Sequence, residues 1–275
     1  MRTIVLAATL AALAFAAPAV AQAPPRPVID VHIHYSHDAW APLPPPEAIK
    51  VLRQAGLRKA FVSSSSDDGT QMLFKAAPDL VVPVLRPYRR RGELGSWVKD
   101  PSIIAHVEGR LKANTYAGIG EFHVFGADAD TAVMRRMVEL AKQYKIFLHA
   151  HSDADAVERI FKQDATAHVL WAHCGFEQAD RVRALLAKHR TLWADLAFRS
   201  DHAPGGRIDP RWKQLFLDFP DRFMVGTDTF APERWHYVVE TASYSRKWVA
   251  ELPPEIADNI AYRNAERLAA WALGQ

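Results

Sequence analysis

The sequence predicts a single (β/α)8 barrel. Three observations carry that prediction. Eight short apolar runs alternate with amphipathic stretches, and such alternation implies a parallel sheet with helical crossovers. Taking an N-terminal export signal of 21 residues from the 275 leaves 254, a usual length for one barrel. The polar residues set into the apolar runs gather at their C-terminal ends, where barrel active sites form. A doubly wound open sheet is the alternative. It would bring a Gly-rich phosphate loop after the first strand, and the sequence has none.

The chain opens on Met1-Arg2, an apolar run from Ile4 to Ala17, and an A-x-A site at Ala19-Val20-Ala21. That is the pattern of a secretory signal cut before Gln22. The run is too short and too alanine-rich for a good membrane span. Residues 1–21 are expected to be a signal peptide and residues 22–275 the barrel domain. The protein is then periplasmic or secreted, with no membrane attachment after cleavage. "APPRP", Ala23–Pro27, is a stiff leader.

Strand one is predicted over Val28–His34, "VIDVHIH". Side chains alternate along a strand, so Asp30, His32 and His34 share one face and Ile29, Val31 and Ile33 the other. A helix over Pro46–Ala55 follows and stops at Gly56. Strands two and three are predicted over Lys59–Ser63 and Val81–Leu85. The stretch Leu85–Ala113 reads as an excursion ending in a helix over Ser102–Ala113. Strand four, Gly118–His123, puts Glu121 and His123 on one face. The helix Asp130–Tyr144 carries Val133, Met137, Leu140, Ala141 and Tyr144 on one side. Strand five, Ile146–His149, is followed closely by His151, on the same face as His149. After the helix Asp153–Lys162, strand six over Thr166–His173 sets Trp171 beside His173. Helices Gln178–His189 and Pro210–Phe219 bracket strand seven, Leu192–Leu196. Strand eight, Phe223–Asp228, places Gly226 and Asp228 together. Helices over Trp235–Ala250 and Pro254–Ala272 complete the chain.

Composition narrows the function classes. At 49% hydrophobic and 24% charged the chain is globular, with ample material for a core. The formal charge is +3, or +2 without Arg2, so no nucleic-acid footprint is expected. The one basic cluster, Arg86 with Arg89, Arg90 and Arg91, matches what is usually a solvated loop. The lone Cys174 has no internal disulfide partner, and a small buried hydrophobe is its default role.

Six of the twelve histidines sit at strand ends: His32, His34, His123, His149, His151 and His173. Imidazoles and carboxylates converging on one mouth are costly unless paired or bound to a cation. Imidazole plus carboxylate suits zinc first, with manganese, iron, nickel or cobalt as alternatives. Such an ion makes bound water acidic at neutral pH. Asp228 is the carboxylate expected to take the proton.

The ordered set "VIDVHIH", "FLHAH", "LWAHCG" and "MVGTD" resembles the amidohydrolase superfamily. The tail "NIAYRNAERL", around Asn264 and Ala265, resembles the closing motif of its amidohydrolase-related (amidohydrolase 2) branch. The resemblance spans almost the whole mature chain. It implies a metal-dependent barrel holding one or two divalent ions, with His32, His34, His149 and Asp228 as ligands. His173 is implied either as a second-metal ligand or as the residue that orients the water. Where many two-metal members carry a carboxylated lysine, this chain has Glu121. A glutamate there also occurs in TatD-type members, which implies a bridging ligand; the alternative is a hydrogen-bond acceptor behind a ligand. In strand five His149 is favoured over His151, because it directly follows the apolar "IFL". Asp30 is assigned a supporting role.

The implied reaction is metal-assisted hydrolysis of an amide, ester or lactone in a small molecule. Arg86 and Arg199 suit an anionic group on it, with a salt bridge to a nearby aspartate as the alternative for each. His123 and His151 are further candidate contacts, and Trp40 and Trp235 are candidate mouth residues. Nonoxidative decarboxylation of the aminocarboxymuconate semialdehyde decarboxylase type, a TatD-like phosphodiesterase and a non-catalytic binding barrel are the alternatives. A homo-oligomer is compatible with the sequence.

Overall fold

A computed structural model describes residues 25–275. The expected signal peptide over residues 1–21 lies outside the described residues. The elements run β1 (Val28–Ile33), α1 (His37–Trp40), α2 (Pro45–Gln54), β2 (Leu57–Val62), α3 (Asp68–Ala76), β3 (Val81–Leu85) and α4 (Ser102–Ala113). Then come β4 (Gly118–His123), α5 (Ala132–Tyr144), β5 (Phe147–His151), α6 (Ala154–Gln163), β6 (Val169–Trp171) and α7 (Ala179–Lys188). The chain ends with β7 (Leu192–Asp195), α8 (Pro210–Asp218), β8 (Phe223–Met224), α9 (Val238–Val249), α10 (Pro254–Asp258) and α11 (Asn264–Leu273).

All eight strands are parallel and lie in chain order β1 to β8. The seam between first and last strands is drawn together by two backbone hydrogen bonds. Val31 N donates to Val225 O at 3.1 Å, and Asp228 N donates to His32 O at 2.8 Å. The result is the expected (β/α)8 barrel, nearly closed.

Outward strand residues such as Val62, Leu148 and Val169 pack with helix residues such as Leu52, Val107 and Ile160 in one large core. A second cluster joins Ile29, Val31, Phe147, Leu170 and Met224 to Ala265 and Leu268 of α11. Local sequence sets the helix starts. Thr131 Oγ1 accepts from Met134 N, and Asp153 Oδ1 accepts from Ala156 N, ahead of α5 and α6. Among the described residues no helix is long and apolar enough to cross a membrane.

Four departures from the sequence reading bear on the site. The crossover helix α3 and the short α1 were not expected; "DGTQMLFKA" fully buries Gly69, Thr70 and Leu73, only one of them a large apolar side chain, with Met72 and Phe74 packed partly buried beside them. Strand six stops at Trp171. Trp171 itself packs into the large core and donates from Nε1 to Ser152 O at 2.7 Å, so it does not stand beside His173. Strand eight is only two residues long, and the chain reaches Asp228 as a loop. The final helix is three pieces, with a π-turn over Asn259–Arg263 between α10 and α11.

Candidate metal centre

β1 delivers His32 and His34 from its C-terminal end. β4 delivers Glu121 through an irregularity: Gly120 pairs with His149 and Phe122 with Ala150, leaving Glu121 between. Gly120 has φ +135°, and a Cβ on it would lie 2.1 Å from His149 O, so only glycine fits there. Beyond β6 the backbone enters the left-handed region at His173, Cys174, Gly175 and Phe176. That turn swings His173 in after the strand has ended. Asp228, also left-handed at φ +54°, turns in from the loop after β8.

The imidazole nitrogens and carboxylates meet closely. His32 Nε2 lies 3.1 Å from His34 Nε2. Glu121 presents Oε1 at 3.4 Å from His32 Nε2 and Oε2 at 3.2 Å from His34 Nε2. Asp228 Oδ1 is 3.4 Å from His34 Nε2 and 3.8 Å from His32 Nε2. His173 Nε2 stands 3.6 Å from Glu121 Oε1 and 3.9 Å from Asp228 Oδ2. All five side chains are buried.

The hydrogen bonds behind these rings set their tautomers. His32 Nδ1 faces Asp195 Oδ2 at 3.1 Å, His34 Nδ1 faces Ser63 O at 2.6 Å, and His173 Nδ1 faces Ala197 O at 2.8 Å. Each partner only accepts, so each Nδ1 carries the proton and a neutral ring leaves Nε2 as a lone pair. Three lone pairs and two carboxylates therefore point at one small buried volume. Acceptors facing acceptors are stable only around protons or a cation. Separations of 3.1–3.9 Å are also what neighbouring ligands keep when each sits about 2 Å from one ion. The residues present fit a divalent metal.

The charges agree. Glu121, Asp195 and Asp228 surround His32, while among the described residues Arg86 is the single guanidinium paired with one of these carboxylates at the centre, at 2.7 Å from Glu121 Oε2. Three carboxylates against one guanidinium leave two negative charges, which a divalent cation balances. Burial opposes charge on His32, but the three carboxylates override it and raise its pKa well above the ordinary value. Burial likewise opposes ionisation of Glu121 and Asp228, yet the imidazoles around them win. Glu121 is held well below the usual range and Asp228 falls to about 2. His173 is raised, because the hydrogen bond to Glu121 outweighs its burial.

The remaining candidates divide. His151 lies at the centre, with Nδ1 2.8 Å from Glu121 Oε1, and stacks on His123 at 4.1 Å. Tyr88 OH is 2.9 Å from His123 Nδ1. Burial pushes the His123 imidazole down to about 3. Arg86 is buried and tied to Glu121, donating also from Nε to its carbonyl at 3.1 Å. His149 is not brought to Glu121 and Asp228. Its Nε2 meets Asp195 Oδ2 at 2.9 Å, behind His32, and burial lowers its pKa to about 4. Arg199 stands apart: it pairs with Asp201 at 2.5 Å and donates to the carbonyls of His173 and Glu177. Asp30 is fully engaged with His32 N, Thr227 N and Thr227 Oγ1, and burial raises it to about 6. Trp235 is buried and donates to His34 O, and Trp40 donates to Tyr35 O; neither lines the mouth.

Asp195 is not among the residues the sequence patterns point to, yet it stands at the centre of the site. Its Oδ2 serves His32 Nδ1 and His149 Nε2, and its Oδ1 accepts from His173 N and Ala197 N, both at 3.0 Å. The signal was present: Asp195 ends strand seven as His32, His149 and Glu121 mark theirs.

The mouth above the centre is a cavity of about 320 Å³. It is lined by Arg86, Tyr88, His123, His151, His173 and Asp228, with apolar side chains at its rim.

No family model matches the chain, and no curated protein matches it. Solved structures do. A TIM-barrel protein from Bordetella bronchiseptica is 16% identical at a TM-score of 0.62, over 90% of this chain and 100% of that one. A 2-pyrone-4,6-dicarboxylic acid hydrolase from Pseudomonas putida is 14% identical at 0.61, over 89% and 97%. An amidohydrolase from Burkholderia multivorans with bound HEPES is 15% identical at 0.55, over 88% and 99%. A β-aspartyl dipeptidase from Fervidobacterium islandicum is 13% identical at 0.53, over 89% and 72%. At these identities the likeness is one of fold, and the fold this chain shares is the TIM barrel on which amidohydrolases are built.

Proposed function

We propose that the chain is a metal-dependent hydrolase of the amidohydrolase superfamily, acting on an amide, ester or lactone bond of a small molecule. The observation that carries this reading is the convergence of three imidazole Nε2 atoms and two carboxylates on one small buried volume. Hydrolases of a pyrone and of a dipeptide among the similar structures fit that class of bond. His32, His34, Glu121, His173 and Asp228 would hold the ion, zinc first among the candidates, with Glu121 placed to serve one ion or bridge two. His149 takes a place behind them, with Asp195. The catalytic domain would be residues 22–275, exported by the signal over residues 1–21.

When bound, a divalent ion supplies Lewis acidity and an acidified water. The chain's own residues do the rest. Asp228 lines the mouth and is ionised across the physiological range, so its Oδ atoms can accept a proton and return it to a leaving group. His173, held at Nδ1 by Ala197 O, keeps Nε2 turned to the same space. Arg86 fixes the rotamer of Glu121 from behind. Tyr88 and Trp97 anchor the backbone of His123 on the cavity wall.

Metal analysis of protein expressed with supplemented zinc, manganese or cobalt tests the reading. About one or two ions per chain are expected, with turnover of p-nitrophenyl esters or lactones that a chelator abolishes. Asp228→Asn should keep at least one ion and lose about 100-fold or more in kcat. A metal-free protein, or unchanged turnover in Asp228→Asn, defeats it.

A further inference from the structure

Among the described residues, five of the nine large hydrophobic side chains left exposed stand around this one mouth: Leu94, Phe125, Phe176, Phe198 and Phe230. They come from four different loops, those after β3, β4, β7 and β8, and from the turn after β6. Phe198 is 53% exposed and Phe176 50%. Exposed apolar side chains scattered singly need no explanation, but a ring of them on one cavity does. Leu94, Phe176, Phe198 and Phe230 line the cavity itself. Phe176 stacks on His173 with ring centroids 4.7 Å apart, so it reaches from the rim to the metal centre. Phe198 and Phe230 meet edge to face at 5.8 Å.

The cations around this collar are already engaged. Arg86 is paired with Glu121 and Arg91 with Asp38. Arg199 is paired with Asp201 and does not line the mouth. Arg234 lies over Phe198 at 4.6 Å and Phe230 at 5.0 Å and donates to the carbonyls of Asp228 and Thr227. Its charge rests on the rings it props. An anionic substituent entering the collar would find Arg86 and Arg91 already paired with carboxylates, and Arg234 shielded by two rings and turned to two backbone carbonyls. A cationic one would meet the Arg234 guanidinium on the two rings that could otherwise receive it.

We infer that the site is selective for an uncharged substrate bearing an aromatic group, which seats among Phe176, Phe198 and Phe230. The inference rests on the hydrolase reading for the bond cleaved, but not for the seat. Edge-to-face and offset contacts among rings give an aromatic group its preference there over a flexible chain of similar size. Phe176, Phe198 and Phe230 are then specificity-determining residues. The sequence-based expectation of an anionic substrate, drawn from Arg86 and Arg199, is replaced by a neutral one.

Calorimetric titration of the full-length, metal-loaded protein tests it with three probes that cannot be hydrolysed. These are acetophenone, its para-sulfonate and its para-trimethylammonium analogue. The neutral ketone should bind at least tenfold more tightly than either charged probe. Phe198→Ala and Phe230→Ala should each weaken it several-fold, both being surface side chains whose loss leaves the core intact. Equal affinities, a preference for a charged probe, or ketone binding indifferent to both substitutions overturns the inference. Hydrolysis assays separate the two claims. Protein that binds the ketone selectively but cleaves no ester, lactone or amide keeps the aromatic seat and loses the hydrolase reading. Protein that cleaves only charged substrates keeps the hydrolase reading and loses the seat.

Discussion

Asp195 supports two imidazoles and two backbone amides on one carboxylate. It fixes the tautomer of His32 and, through His173 N, the turn that brings His173 in. A partner of this kind behind a ligand histidine typically governs 10- to 100-fold in metal affinity. Asp195→Asn keeps a single acceptor for the two rings, so zinc affinity should fall by about that factor. Competition against a chromogenic chelator measures it, and an unchanged dissociation constant would remove Asp195 from the centre. His32 and His34 were legible because alternation on one strand is a local property. Asp195 was harder, since which histidine it serves depends on strands one, five and seven meeting in space.

At the scale of elements, β4 depends on Gly120. A methyl group there would collide with His149 O and with His149 Cβ, at 2.1 and 2.8 Å, on backbone at φ +135°. Gly120→Ala should therefore cost about 2 kcal/mol or more, read as a lower urea midpoint. An unchanged midpoint would mean that β4 can shift without harm. The packing of α8 and α9 holds a second feature. His202 is buried, 4.8 Å from the Trp248 ring, and both its ring nitrogens lack a hydrogen-bond partner among the described residues. Burial lowers its pKa from 6.5 to about 4. The unfolded chain thus binds the proton more readily. Its contribution is whole above pH 6.5 and is lost as pH falls from 6.5 towards 4. The loss is of the order of 3 kcal/mol. His202→Leu should make thermal stability less steep across that window. His123 and His149 act with the same sign, so part of the slope should persist. A slope unaltered by His202→Leu would refute the assignment.

At the scale of the molecule, the candidate metal centre draws its residues from both ends of the barrel. His32 and His34 belong to the first strand and Asp228 to the loop after the last, across a seam that two backbone hydrogen bonds close. An ion held by both should stabilise the closed form. At free zinc a hundredfold above its dissociation constant, linkage adds about 2.7 kcal/mol. For a domain of this size that is a rise of roughly 5–10 °C in Tm. Differential scanning with zinc and with chelator reads it, and coincident transitions would argue against a shared ion.

The sequence by itself determined the barrel and most of its strands, because apolar runs of strand length are decided by neighbours along the chain. It also marked the strand ends whose imidazoles and carboxylates converge. His32, His34, Glu121 and Asp228 were chosen from the sequence, and the structure brings each of the two imidazoles within 4 Å of both carboxylates. Only the tertiary structure decided the depth of each group. Alternation places His149 and His151 on one face alike. The packing sends one to Asp195 and the other to Glu121, a difference of layer that no periodicity encodes. Helix α3 escaped the reading because two of its three fully buried residues, Gly69 and Thr70, are not apolar side chains. The role of the arginines was likewise a tertiary matter. A guanidinium at a strand end has the same sequence signature whether it awaits a substrate or already holds a carboxylate, and here Arg86 and Arg199 both hold one.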